Sequence, residues 1–185
     1  MERREKVSKI GGLFFLCFLC FVLLQFISPL ALPTATLTDL SGSTMFLDRP
    51  EEEHTIPFPF SITYSLGDIL CHQKASRSLF INQNQLPFCS RCTAIWIGVA
   101  IGLFLSLFLK INLTPRFLGI FLICLLPLAI DGFGQLLGFW ESTNLIRILT
   151  GFPAGFASGV AIYSIIDEIH WETVLKNKRK KRSLD

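Results

Sequence analysis

Three short stretches of this chain carry most of the residue types that do chemistry. Cys71-His72-Gln73 is followed by Arg77, and then by Cys89-Ser90-Arg91-Cys92. Cys89 and Cys92 are three apart, so in a first helical turn they share a face and bring their sulfurs close. The unpaired amides of a helix N-terminus would favour a thiolate there. Three kinds of chemistry are open to such a set. Cys89 and Cys92 could cycle between dithiol and disulfide as a catalytic pair, with Cys71 as a relay thiol. Cys71, His72, Cys89 and Cys92 could hold a zinc ion, although the neighbours Cys71 and His72 reach one tetrahedral ion only with a strained backbone. The plainest alternative is a structural Cys89–Cys92 disulfide with Cys71 left free.

A second group lies within apolar sequence. Asp131 and Gln135 share one helical face, and Asn144, Arg147 and Gly151 share another. An unpaired Asp or Arg inside a bilayer costs at least ~2.5–3.5 kcal/mol on insertion scales, so these side chains are expected to face inward and pair. An Asp131–Arg147 ion pair holding a helical hairpin is the structural reading. The functional reading is a polar site that the Cys/His group joins. Arg77, Arg91 and Arg147 could then surround one pocket, and guanidinium groups grip phosphate in a bidentate manner. The ligand would be an anionic head group or a diphosphate-linked lipid, met also by Gln73, Gln135 and Asn144, with Asp131 or His72 as acid or base. The bland counterpart is that Arg77 and Arg91 only snorkel to the membrane interface.

The elements that must position these residues are read from composition and hydropathy. Hydrophobic residues make up 51% of the 185 residues and charged ones 17%, below the ~25% charged of soluble domains. A net charge of +3, concentrated at the ends, does not suit a nucleic-acid binder. A bilayer span needs roughly 20 mostly apolar residues, and four continuous runs qualify: about Ile10–Leu32, Pro87 or Thr93 to Leu109, Phe117–Trp140 and Asn144–Ile166. Continuous rather than alternating runs mean helices. The expectation is an all-α integral membrane protein, a bundle of four transmembrane helices.

Arg3, Arg4, Lys6, Lys9, Lys110, Arg116 and six basic residues of the tail fall on one side of such a bundle. The positive-inside rule makes that side cytoplasmic, so the chain is expected in the cell membrane with both termini inside. Residues 1–32 are then the N-terminus and first span, with an uncleaved anchor favoured over a signal peptide. Residues 33–86 form an extracytoplasmic segment, 87–166 a three-helix membrane domain and 167–185 a basic cytoplasmic tail. Within the outer segment, about Ser61–Leu79 is expected to include a short interfacial helix with Ile62, Leu66, Ile69 and Leu70 on its apolar face. Asn82-Gln83-Asn84-Gln85 reads as a polar turn, and Pro87 as the first turn of the second span. Gly98-xxx-Gly102 and Gly151-xxx-Gly155-xxx-Gly159 are stripes that let helices approach closely. Cys17, Cys20 and Cys124 read as packing residues, and His54 and His170 have no ligand-like surroundings.

Taken in order, Cys71-His72-Gln73, Arg77-Ser78, Pro87 to Thr93, Asp131-Gly132-x-x-Gln135 and Ser142-x-Asn144-x-x-Arg147-x-x-Thr150-Gly151 resemble the signature of the membrane proteins catalogued as domain of unknown function 2085. The resemblance covers about residues 62–160. Ala94 departs from it, standing where the pattern has Gly. It implies a multi-span membrane protein of prokaryotic type and supplies no activity.

Overall fold

A computed structural model describes residues 9–42, 45 and 56–182. Arg3, Arg4, Lys6, Asp48, Arg49, Glu51, Glu52, Glu53 and His54 lie outside the described residues, and of Lys176–Arg182 only the backbone is described. The described elements are α1 (Lys9–Ala31), α2 (Phe60–Leu70), a short 3-10 turn (Ala75–Arg77), β1 (Ser78–Ile81), β2 (Asn84–Cys89), α3 (Ser90–Phe108), α4 (Pro115–Leu136) and α5 (Asn144–Arg182). Four helices are long and apolar enough to cross a membrane: α1, α3, α4 and the part of α5 from Asn144 to Trp171. Three of these helix ends have a visible local cause. Thr114 accepts a hydrogen bond from Phe117 N at 3.2 Å, and Pro115 follows at the first helical position, where its missing N–H is harmless. Thr143 Oγ1 accepts from Ile146 N at 3.3 Å at the head of α5. α4 stops at Leu136, earlier than the expected Trp140, because Gly138 takes φ +76 just beyond it. The chain then doubles back, so that the Trp140 ring lies directly over Gly134.

The all-α expectation needs one correction, an antiparallel hairpin. Its strands pair Ser78 with Cys89, Phe80 with Gln85 and Ile81 with Asn84. Asn82 and Gln83 form the turn at φ 53 and 59, as a two-residue hairpin connection requires. Pro87 therefore sits in β2, and α3 begins only at Ser90. Nor is Asn82–Gln85 a polar turn throughout, since Asn84 and Gln85 are fully buried. The Asn84 amide accepts from Thr36 N and Leu37 N and donates to Pro29 O and Pro33 O. Gln85 accepts from Leu40 N and donates to Gln73 O and Ser78 Oγ. Two buried amides thus satisfy the backbone of the irregular chain leaving α1, where no ladder could. A small core of Leu32, Leu37, Leu40, Ile56 and Tyr64 closes over them.

α2 is shorter than expected and turns its other face inward. Thr63, Tyr64, Gly67 and Asp68 are buried, while Ile62 and Leu70 are exposed. The buried face is polar because it meets groups that need partners: Thr63 shares a hydrogen bond with Ser28 of α1, and Tyr64 donates to Gln85 O.

The membrane helices pack through glycine. A Cβ on Gly155 would sit 2.1 Å from Ile95 O, one on Gly159 2.3 Å from Val99 O, and one on Gly102 2.3 Å from Phe156 O. α3 and α5 therefore touch backbone to backbone. α1 joins them through aromatic contacts of Phe18 and Phe21 with Trp96, and of Phe21 with Phe88. Cys17 and Cys20 lie exposed on α1 and are not packing residues, whereas Cys124 is half-buried. Gly155→Ala is expected to destabilise the purified protein by about 1–3 kcal/mol, as overpacking does. Gly119→Ala, where a Cβ meets nothing within 4 Å, is expected to unfold at or slightly above the wild-type temperature in the same detergent, since Ala favours the helix.

Candidate functional site

The residues with chemistry collect at the end of the bundle that carries the hairpin, and the hairpin base explains why. Ser78 pairs with Cys89, so Arg77 stands beside the start of α3 and its Cys89-Ser90-Arg91-Cys92 run. Cys71 ends α2 in an extended conformation, and its sulfur accepts a hydrogen bond from Cys89 N at 3.4 Å. Cys89 is the N-cap of α3 and Cys92 its third residue. The sulfurs of Cys71, Cys89 and Cys92 consequently lie within 4.8 Å of one another, with Cys71 buried and the other two half-buried. All three are free thiols. Interaction with the Cys71 thiol, then with that of Cys92, holds the Cys89 thiol well below the ordinary cysteine range, aided by the amides of Cys92 and Arg91. His72 is exposed, and its imidazole is not part of this group.

The second cluster is built from three helices and the hairpin. Arg91 forms an ion pair with Asp131, so the carboxylate's partner is Arg91 and not the expected Arg147. Asp131 is buried and also accepts from Ser142 Oγ at 3.0 Å and Trp140 Nε1 at 3.4 Å. Those two partners stand on the turn that doubles back after α4. Neither was singled out from sequence as a site residue. Ser142 lies inside the family-like pattern, but its role depends on a fold-back that helical spacing does not report.

Arg147 is buried, with 4% of its surface exposed. Its Nη1 donates to Asn144 Oδ1 at 3.0 Å, and Asn144 Nδ2 donates to Ser78 O at 3.3 Å, tying α5 to the hairpin. The Gln135 amide faces the arginines with its oxygen, which accepts from Arg147 Nη2 at 2.9 Å and Arg77 Nη2 at 3.2 Å. Arg77, Arg91 and Arg147 thus converge on Gln135 and Asp131, and one carboxylate stands against three guanidinium charges. Nε of Arg91 and Nε of Arg147 are buried without a hydrogen-bond partner. Cys89 is near enough to Arg147 to interact electrostatically, which links the sulfur cluster to the arginine cluster. Gln73 does not join them. It is buried, and its amide donates to Pro87 O at 2.6 Å, fastening the segment after α2 to β2.

Four apolar spans, with buried charged residues gathered at one end, define a multi-pass membrane protein. The family described as predicted membrane protein, DUF2085, matches residues 71–161. An uncharacterized protein of Methanocaldococcus jannaschii is 36% identical over 110 residues, covering 57% of this chain and 69% of the relative. One of Methanothermobacter thermautotrophicus is 35% identical over 91 residues, covering 49% of this chain and 82% of the relative. The chain belongs to the DUF2085 family. No solved structure matches it. The matched stretch begins at Cys71 and so takes in both clusters but not α1.

Removing one member of a buried ion pair leaves the other charge unpaired. Asp131→Ala is expected to cost about 3 kcal/mol, the lower end of that range because Arg91 keeps 21% of its side chain exposed. The Asp131→Ala/Arg91→Ala double variant is expected to lose less than the two single losses combined. Unfolding midpoints in one detergent measure this; strictly additive losses would show that the two side chains do not act as a pair.

Proposed function

We propose that this protein binds an anionic ligand, a phosphate-bearing lipid or a small phosphorylated molecule, at a site facing away from the cytoplasm. The observation that carries the reading is the convergence of Arg77, Arg91 and Arg147 on one amide and one carboxylate. The Arg77 and Arg147 nitrogens that donate to Gln135 are within about 6 Å of each other, since both reach the same oxygen. Like charges at that separation repel by about 3 kcal/mol at an effective dielectric near 20. An anion between them would turn that repulsion into attraction. The two buried Nε–H groups without partners are donors such an anion could take up. Asn144 and Gln135 hold the guanidiniums in place, and Ser142 and Trp140 hold Asp131.

Sidedness is part of the proposal. The site is at the hairpin end, while Lys110 lies in the opposite α3–α4 connection with its amine 3.9 Å from Asp167. The basic sequence flanks favour that opposite end as cytoplasmic, together with both termini.

The test uses the full chain in nanodiscs of zwitterionic lipid. Inorganic pyrophosphate is titrated in one arm, and a polyprenyl diphosphate is incorporated in the other and followed by native mass spectrometry. Binding is expected in at least one arm. Arg147→Gln and Arg77→Gln are each expected to weaken it about tenfold or more, the worth of one charge-assisted hydrogen bond. Absence of binding in both arms, or full affinity in the Arg77/Arg91/Arg147 triple glutamine variant, would end the proposal.

A further inference from the structure

The anion site leaves the three sulfurs at its edge without a role. We infer that Cys71, Cys89 and Cys92 form a trithiolate site for one thiophilic divalent metal ion of the zinc class. The inference stands independently of the anion-binding proposal, because it rests on different side chains and a different ligand chemistry.

Three sulfurs bound to one tetrahedral zinc at ~2.3 Å would lie ~3.8 Å apart. Here they already lie within 4.8 Å of one another, so small side-chain rotations complete the triangle. They come from two separate segments, the end of α2 and the first turn of α3. A helical CxxC pair alone would bring two sulfurs together; the third arrives because Gly67 lets α2 lie against Pro87 O, where a Cβ would sit 2.0 Å from that oxygen. Binding leaves all three sulfurs as thiolates, and whatever protons they still carry pass to water. The resulting site has one net negative charge, and the Arg147 guanidinium that interacts with Cys89 offsets it. Exposed His72 is not a ligand in this arrangement. The fourth place belongs to water or another group from outside the triad, as in zinc sites that keep an exchangeable position.

The experiment uses the full chain with Cys17, Cys20 and Cys124 changed to Ser, purified in detergent, reduced and freed of metal, then titrated with cobalt. The expected result is one cobalt per chain with a near-ultraviolet thiolate-to-cobalt charge-transfer band. That band should lose about a third of its intensity in each of Cys71→Ser, Cys89→Ser and Cys92→Ser, and none in His72→Ala, the outcome three equivalent sulfur ligands require. Zinc should displace cobalt and raise the unfolding temperature of the parent chain, a readout that needs no variant to fold. A reduced parent chain with no charge-transfer band overturns the inference. So does a band of full intensity in Cys71→Ser, which would leave only the CxxC pair as ligand.

Discussion

Everything at the polar end depends on how α3 and α5 touch. In a bilayer, lipid tails are as apolar as side chains, so helices gain little from burying Leu and must gain from close packing. Glycines on α5 supply that closeness at intervals of one turn. Gly151 meets Arg91 O, Gly155 meets Ile95 O and Gly159 meets Val99 O. This ladder fixes the register of the two helices to within a residue. It thereby sets Arg91 beside the first turns of α5, where Arg147 stands one turn before Gly151. A slip by one residue would carry Arg91 away from both Arg147 and Asp131.

The hairpin end solves a different problem. The chain between α1 and α2 is irregular, and its backbone groups cannot be left unpaired where they are buried. Asn84 and Gln85 meet them with side-chain amides, which offer donors and acceptors in one planar group. The same hairpin then carries Ser78, whose carbonyl receives Asn144 and whose hydroxyl receives Gln85. A scaffold built to satisfy backbone also orients the base of the site.

Much of this was legible in the sequence, and the reason is periodicity. Four apolar runs reported four helices, and small residues four apart reported close helix packing without saying which helices meet. Asp131, Gln135 and Arg147 are expected to face inward, because polar groups within apolar sequence must find partners, and Arg77 and Arg91 fit either walls of the same pocket or snorkelling to the interface. What escaped was tertiary detail that no period encodes. The partner of Asp131 is Arg91 rather than Arg147, since α4 reaches the start of α3 with the fold-back of Trp140 and Ser142 completing the carboxylate's shell. The hairpin was missed because Asn82-Gln83-Asn84-Gln85 is polar throughout, and composition cannot distinguish an amide in a turn from one buried in a strand. Pro87 pointed to a helix start for the same reason: proline suits a first turn and an edge strand alike.

The two clusters share more than position. Three guanidiniums against one carboxylate leave the cluster of Arg77, Arg91, Arg147 and Asp131 with excess positive charge, and the first turn of α3 adds unpaired amides of the same sign. An environment of that kind favours thiolates over thiols and anions over neutral molecules, so one field bears on both the sulfur cluster and the proposed anion. The field is strong because Arg147 and Asp131 are withdrawn from water, which would otherwise screen them. It is also directional. Gln135 is neutral, so it gathers Arg77 and Arg147 by hydrogen bonds without cancelling either charge. A second carboxylate in its place would have cancelled one more of the three guanidinium charges and halved the excess that the proposed anion would meet. An amide at that position holds two guanidiniums in place and leaves their charge uncancelled for the anion proposed above.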